Sequence, residues 1–191
     1  MIELFEQDLG DTLTWVEYLD LPFETRNMDL VDGRVIVNAP GPNHERVVGY
    51  LLRAYFEWAA GRADPGEFST QQPVGIEVDR GYQPDLAWWP EERCSTDPED
   101  AVFVGLPSIV VEVLSPSTRA RDRVLKRNDY ERIGIAEYWI IDPASKTAIL
   151  QRRSGPGAPY DVQLSIATDE TINSSLLPGF GVVVGSLFRR S

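Results

Sequence analysis

Tyr82-Gln83-Pro84-Asp85-Leu86-Ala87-Trp88-Trp89 and Ser108-Ile109-Val110-Val111-Glu112-Val113-Leu114-Ser115-Pro116-Ser117 are the two runs that decide how this chain is read. Each sets one carboxylate inside an otherwise apolar or aromatic stretch. Ile109 to Leu114 has the near-continuous apolar character of a strand buried on both faces, in the middle of a parallel or mixed sheet. An unpaired carboxylate is costly there, so Glu112 must meet a cation, a metal or strong donors, or take up a proton. Asp85 poses the same question one strand earlier, and Pro84, which lacks a ladder donor, puts it at an edge or a bulge. If the two strands are neighbours, opposed side chains have Cβ atoms about 5 Å apart, close enough for both carboxylates to hold one hard divalent cation.

A helix is expected over Arg119 to Ile133, with the hydroxyls of Ser115-Pro116-Ser117-Thr118 before it and Gly134 as its C-cap. Asp122, Lys126, Tyr130 and Ile133 fall at i, i+4, i+8 and i+11 and share one face. Ile133 and Leu125 on or near the buried side draw Lys126 towards the sheet that carries the acids. Only two lysines, Lys126 and Lys146, stand against sixteen arginines, so a lysine here is informative. Two acids on adjacent strands with a lysine in reach make a metal-dependent hydrolytic site. Asp85 and Glu112 would hold Mg²⁺ or Mn²⁺, the metal would lower the pKa of a water and steady the charge on a phosphate, and Lys126 would position the attacking water. Phosphodiester hydrolysis suits these parts.

Outward from this centre, residues 11–19 carry apolar groups at helical spacing with Thr12 or Thr14 as cap and Pro22 beyond the end. Asp32-Gly33 between Met28–Val31 and Arg34–Asn38 is a strong hairpin signal. From His44 to about Gly61, Val47, Val48, Leu51, Leu52, Tyr55, Phe56 and Ala59 form one apolar stripe of an amphipathic helix, with Asn43 offered as N-cap. Phe68 to Val78 reads as one or two strands, and residues 90–107 as a long polar loop. Glu137 to Asp142, Lys146 to Arg152 and Tyr160 to Ile166 are strands, and the tail from Ile172 to Phe188 is apolar enough to pack on the body. The expected fold is mixed α/β, a single domain over residues 1–191.

Apolar residues make up 42% of the 191, which excludes a disordered chain. The single Cys94 allows no internal disulfide and points to a reducing cytoplasm. The acidic start lacks the build of a signal peptide, and no apolar run approaches a membrane span, so a cytoplasmic protein with no membrane partner is expected. The net charge of -12 opposes nucleic-acid binding overall and requires any such contact to be local and salt-sensitive. The helix cluster Arg119, Arg121, Arg123, Lys126, Arg127 and Arg132 outweighs Asp122, Asp129 and Glu131, as either a phosphate-facing patch or an ordinary mixed-charge surface.

The order Pro84-Asp85, Val111-Glu112-Val113-Leu114-Ser115-Pro116-Ser117-Thr118, Lys126 with Tyr130, then Glu137-Tyr138-Trp139-Ile140-Ile141-Asp142-Pro143 resembles the Uma family, bacterial proteins classed with restriction endonucleases in the PD-(D/E)XK nuclease superfamily. Asp29-Leu30-Val31-Asp32-Gly33, His44 at its helix start and Leu177-Pro178-Gly179-Phe180 extend the likeness over nearly the whole chain. The resemblance implies a restriction-endonuclease-like mixed sheet flanked by helices, with added N-terminal and C-terminal β-hairpins, and Asp85 and Glu112 as metal ligands. One departure from the superfamily is Leu114, which stands where a lysine is expected two residues after the glutamate. Lys126 takes that role, a relocation that members of the family share.

The function so implied is a metal-dependent endonuclease acting on nucleic acid, DNA first, working as a homodimer by analogy with enzymes that cut both strands. His44, Asp29 and Tyr130 are accessory candidates. Each candidate also has a plainer reading: Asp85 as a strand-end cap, Glu112 in a structural ion pair, Lys126 as a helix lysine whose stem covers apolar surface, His44 as a local structural residue, and Tyr130 as packing. Two further functions stay open, a non-catalytic interaction module on a nuclease scaffold and a hydrolase of smaller phosphoesters.

Overall fold

A computed structural model describes residues 12–21, 27–38, 40–94, 103–115 and 122–189. The acidic N-terminal start, Pro22, most of the polar loop (95–102), the hydroxyls of the turn at 116–118 and the first turn of the Lys126 helix (119–121) lie outside the described residues. The chain divides into two compact units, residues 1–39 with 73–83, and residues 40–72 with 84–191.

The first unit is a four-stranded antiparallel sheet in the order β2-β1-β5-β4, from β1 (Met28–Val31), β2 (Arg34–Val37), β4 (Val74–Glu77) and β5 (Arg80–Tyr82). Asp32 and Gly33, both with positive φ, make the two-residue turn between β1 and β2, whose backbone twist matches that of the strands. Helix α1 (Trp15–Leu19) begins at Thr14, whose hydroxyl and backbone N–H both exchange hydrogen bonds with Glu17 in a capping box. Tyr18, Met28 and Leu30 form the small core, with Leu13, Trp15, Leu21 and Val35 packed on it.

The second unit is built on a six-stranded mixed sheet in the order β10-β9-β8-β7-β6-β3. Its strands are β3 (Glu67–Thr70), β6 (Leu86–Trp89), β7 (Ile109–Val113), β8 (Glu137–Asp142), β9 (Thr147–Arg152) and β10 (Val162–Ile166). Within this sheet only β7 and β8 run parallel, and the described part of the connection between them is helical, as a parallel pair requires a crossover. Every residue of β7 and of β8 is buried, as expected of strands covered on both faces.

One face of this sheet carries Leu86, Trp88, Ile109, Val111, Val113, Trp139, Ile141 and Leu150 into the main core. Helix α2 (Pro42–Ala59) covers it with Val47, Val48, Leu51 and Tyr55. So does the C-terminal hairpin of β11 (Thr171–Ser174) and β12 (Leu177–Val183), followed by a 3-10 turn at Val184–Phe188. Pro42 occupies the first helical position, so Gly41 rather than Asn43 is the N-cap; a proline there gives up only an orphan N–H. Trp88 and Trp89 alternate across β6 as their spacing requires. Trp88 joins the core, and Trp89 stacks on Phe103 at 4.1 Å and donates to the Gly105 carbonyl.

The opposite face carries Val110 and Glu112 of β7 beside Tyr138, Ile140 and Asp142 of β8, since Glu112 is paired in register with Ile140. Above it lies a widened π-helical turn, Asp122–Lys126, which runs into α3 (Arg127–Ile133) and ends at Gly134 in the left-handed conformation. The buried side of this segment is polar rather than apolar: Asp122, Lys126, Asp129 and Tyr130 are buried while Leu125 and Ile133 are only partly so. Single-turn π segments are often found at functional sites.

Candidate active site

Asp85 does not lie within a strand. The chain leaves the first sheet after Tyr82 and enters the second at Leu86, and Pro84 and Asp85 occupy the passage between them. The antiparallel ladder of β6 and β7 pairs Leu86 with Val111, so its continuation by one residue sets Asp85 across from Glu112. Directly opposed residues share a face. The Asp85 carboxylate is fixed through one oxygen: Oδ2 accepts the Val113 N–H at 2.7 Å and lies 3.0 Å from His44 Nε2. Oδ1 has no hydrogen-bond partner among the described residues.

Glu112 is 4% exposed and is met from the helix layer. Lys126 Nζ lies 2.8 Å from Oε1, and the Tyr130 hydroxyl donates to the same oxygen at 3.1 Å. Lys126 is itself only 1% exposed and is 3.4 Å from Asp122 Oδ1, so its ammonium sits between two carboxylates. Tyr138 on β8 donates to the Asp122 carbonyl at 2.9 Å and locks the π turn to the sheet. Burial raises the Tyr138 phenol pKa well above its ordinary value, and the charges of Glu112, Asp122 and Asp85 raise it further. That tyrosine is a neutral hydrogen-bonding group at ordinary pH.

His44 stands in the first turn of α2, with its side chain 11% exposed. Burial alone would lower its pKa, but the hydrogen bond to Asp85 and the negative charges of Asp85, Glu45 and Asp122 outweigh it and leave the pKa raised. The structure therefore joins His44 to the cluster through Asp85, and joins Tyr130 through Glu112. Asp29 belongs to the first unit, buried on β1, where Oδ1 accepts the Gln83 N–H and Oδ2 the Asn38 amide, each at 3.0 Å. Two residues that are not among the site candidates of the sequence lie with the cluster. Asp122 completes the surroundings of Lys126, and Asp142, on the Glu112 face of β8, accepts from Arg123. The i, i+4 relation of Asp122 to Lys126 was the available signal for the first.

Among the described residues no group of three or more histidine, cysteine or carboxylate side chains is arranged to hold a metal by itself. Two opposed carboxylates nevertheless fit Mg²⁺, which is commonly held by one or two protein carboxylates, with waters and substrate phosphates completing its shell. The unpartnered Asp85 Oδ1 is an observation of the same kind, an oxygen held in place by what binds its twin.

A mixed sheet with a buried glutamate on a central strand, an aspartate tied to that strand's backbone and a lysine from the helix layer is the arrangement of a restriction-endonuclease-like α/β protein. The chain belongs to the Uma2 family, whose description is "Putative restriction endonuclease" and whose family model matches residues 15–185. Among solved structures it is similar to a "putative nuclease belonging to DUF820" from Anabaena variabilis ATCC 29413, with a TM-score of 0.72 at 18% identity, over 92% of this chain and 97% of that one. At that identity the likeness establishes the fold. No curated protein matches the chain.

Proposed function

We propose that the chain is a metal-dependent endonuclease that hydrolyses phosphodiester bonds of nucleic acid, with DNA as substrate. The observation that carries this reading is the hydrogen bond that ties Asp85 to the Val113 amide, next to Glu112, with Lys126 Nζ 2.8 Å from the glutamate. Asp85 and Glu112 would hold Mg²⁺ or Mn²⁺, which when bound would lower the pKa of a water and offset the charge growing on the phosphate. Asp85 presents Oδ1 because His44 and the Val113 amide restrain Oδ2. Tyr130 fixes the rotamer of Glu112, and Lys126 supplies a positive charge beside the attacking water and the phosphate. Glu112, Lys126, Tyr130 and His44 come from a strand and packed helix turns, and Asp85, just before β6, is held by the Val113 amide and His44, which keeps their spacing fixed before substrate arrives.

The test is cleavage of plasmid and single-stranded DNA with Mg²⁺ or Mn²⁺ by the wild type, Asp85→Ala and Glu112→Ala. Loss of cleavage in both variants is expected; cleavage that survives both sinks the proposal. A homodimer would bring two such sites to the two strands of a duplex, and sedimentation of the wild type with a short duplex checks it.

One observation favours a second reading, a non-catalytic interaction module: Glu112 already has a buried cation in Lys126, so the pair satisfies itself without a metal. Calorimetry separates the two. A Mn²⁺ binding heat that disappears in Glu112→Gln supports the nuclease, and no heat in the wild type supports the module.

A further inference from the structure

The arginines of the α3 segment are not equivalent. Arg127 donates to Gln151, Asn128 and Glu131 and lies over the Tyr160 ring, and Arg132 pairs with Asp129 at 2.9 Å. Their charges are engaged within the fold. Arg123 differs. It makes one hydrogen bond, from a single Nη to Asp142 Oδ2 at 3.2 Å, while its side chain remains 42% exposed. The other donors of its five-donor fork have no hydrogen-bond partner among the described residues.

The anchor of that one bond is rigid. Asp142 is 3% exposed, and its Oδ1 is held by the Ala144 N–H at 3.0 Å. Its place in the sheet is next to the site. Ile140 is the registered neighbour of Glu112 on β8, and Asp142 lies two residues further along the same face. From strand rise and strand spacing, its Cα is about 8 Å from that of Glu112. Arg123 also follows Asp122 directly in the π turn, and Asp122 approaches Lys126 to 3.4 Å. A cation with one donor tethered and the others presented beside a hydrolytic centre has the geometry of a phosphate clamp, and the guanidinium fork matches two phosphate oxygens.

Resting on the nuclease reading above, we infer that Arg123 binds a backbone phosphate of the nucleic-acid substrate next to the scissile group, with Asp142 holding the guanidinium in position. Lys126 is committed to Glu112 and Asp122, and His44 to Asp85, so neither takes the part of clamping a neighbouring backbone phosphate. An exposed cation beside the acids also reconciles a phosphate substrate with a chain of net charge -12: the attraction is local and does not come from the field of the whole protein.

The experiment measures steady-state cleavage of a fluorescein-labelled DNA duplex in Mg²⁺ at several salt concentrations, for the wild type, Arg123→Gln and Arg123→Lys. In Arg123→Gln, KM is expected to rise about ten-fold, the lower end for one hydrogen bond between charged groups, with a smaller change in kcat. The slope of log kcat/KM against log salt should become shallower by about one unit, as for one lost phosphate contact. Arg123→Lys keeps the charge and should keep the wild-type slope with an intermediate KM. An Arg123→Gln variant with wild-type KM and slope overturns the inference and leaves Arg123 a staple between helix and sheet. A wild type that cleaves no nucleic acid overturns the nuclease reading and this inference together.

Discussion

Lys126→Met tests whether the centre of the site is the buried charge cluster the structure describes. The ammonium removed is flanked by Glu112 Oε1 at 2.8 Å and Asp122 Oδ1 at 3.4 Å, and the three side chains are 2%, 5% and 1% exposed for Lys126, Glu112 and Asp122. Methionine fills much of the space but leaves both carboxylates without the lysine's charge, and the Tyr130 hydroxyl that remains on Glu112 is neutral. Breaking a buried pair in this way costs about 3–5 kcal/mol. For a chain of this size that corresponds to a fall in Tm of about 6–20 °C. The assay is urea denaturation followed by tryptophan fluorescence in EDTA at pH 7.5, with thermal melts in parallel. Glu112→Gln combined with Lys126→Met should recover at least about 1 kcal/mol of the loss, since one of the two stranded charges is then removed. A single variant that loses less than about 1 kcal/mol, or a double variant no better than the single, would refute the reasoning.

His44 has a folded-state pKa raised above its ordinary value of about 6.5, chiefly by Asp85 against the opposing effect of burial. Its contribution to stability is therefore fully present below about pH 6.5 and is lost as pH rises through the folded value. His44→Gln should be less stable than the wild type at pH 6 and close to it at pH 9, in EDTA, by the same denaturation assay. Burial and the charges of Glu67, Glu91 and Glu92 push the Cys94 thiol up to about 11. Its alkylation by iodoacetamide at pH 8 should be about a hundred-fold slower than that of an unperturbed thiol, as measured by mass spectrometry. Gly81 lies under the Trp15 ring, where an added Cβ would collide with the indole. Gly81→Ala should cost about 1–3 kcal/mol as an overpacked contact, and a variant as stable as the wild type in denaturation would show that the ring does not sit there.

Much of the second unit was legible because charge is conspicuous in an apolar strand. Glu112 inside Ile109–Val113 required a partner, and the four-residue spacing of Lys126 and Tyr130 supplied two of them from one helix face. The hairpin at Asp32-Gly33 and the stripe of α2 were equally local signals. What was not legible depends on where elements end in space. Periodicity places His44 at the start of α2 but does not say which strand that helix end approaches, so its contact with Asp85 had no local signature. Tyr82 to Trp89 reads as one strand, whereas Tyr82 ends β5 and Leu86 begins β6 in a different sheet, and a proline between them is compatible with either arrangement. Apolar composition puts Leu125 and Ile133 on or near the buried side of the α3 segment. The structure buries Asp122, Lys126 and Asp129 instead, because the sheet face below offers carboxylate and hydroxyl groups for them to meet.

The lysine that meets Glu112 in this chain comes from the helix layer and not from the strand. Residue 114 comes two after Glu112 and would share its face by strand alternation, but in this chain it is a buried Leu114 whose N–H pairs with the Ile141 carbonyl at the end of the ladder. A lysine there would reach the carboxylate from along the strand. Lys126 reaches it from the layer above, and the widened turn of Asp122–Lys126 brings Asp122 and Lys126 down to the sheet together. Either route delivers an ammonium to the same carboxylate face. The helical route ties that ammonium to a segment that also carries Arg123 and Tyr130, so the position of the cation depends on how the crossover helix packs rather than on the strand. Replacing Leu114 with lysine in a Lys126→Met background asks whether the two routes are interchangeable. Recovery of cleavage, at whatever cost in stability, would show that the charge on the Glu112 face matters and not the element that brings it.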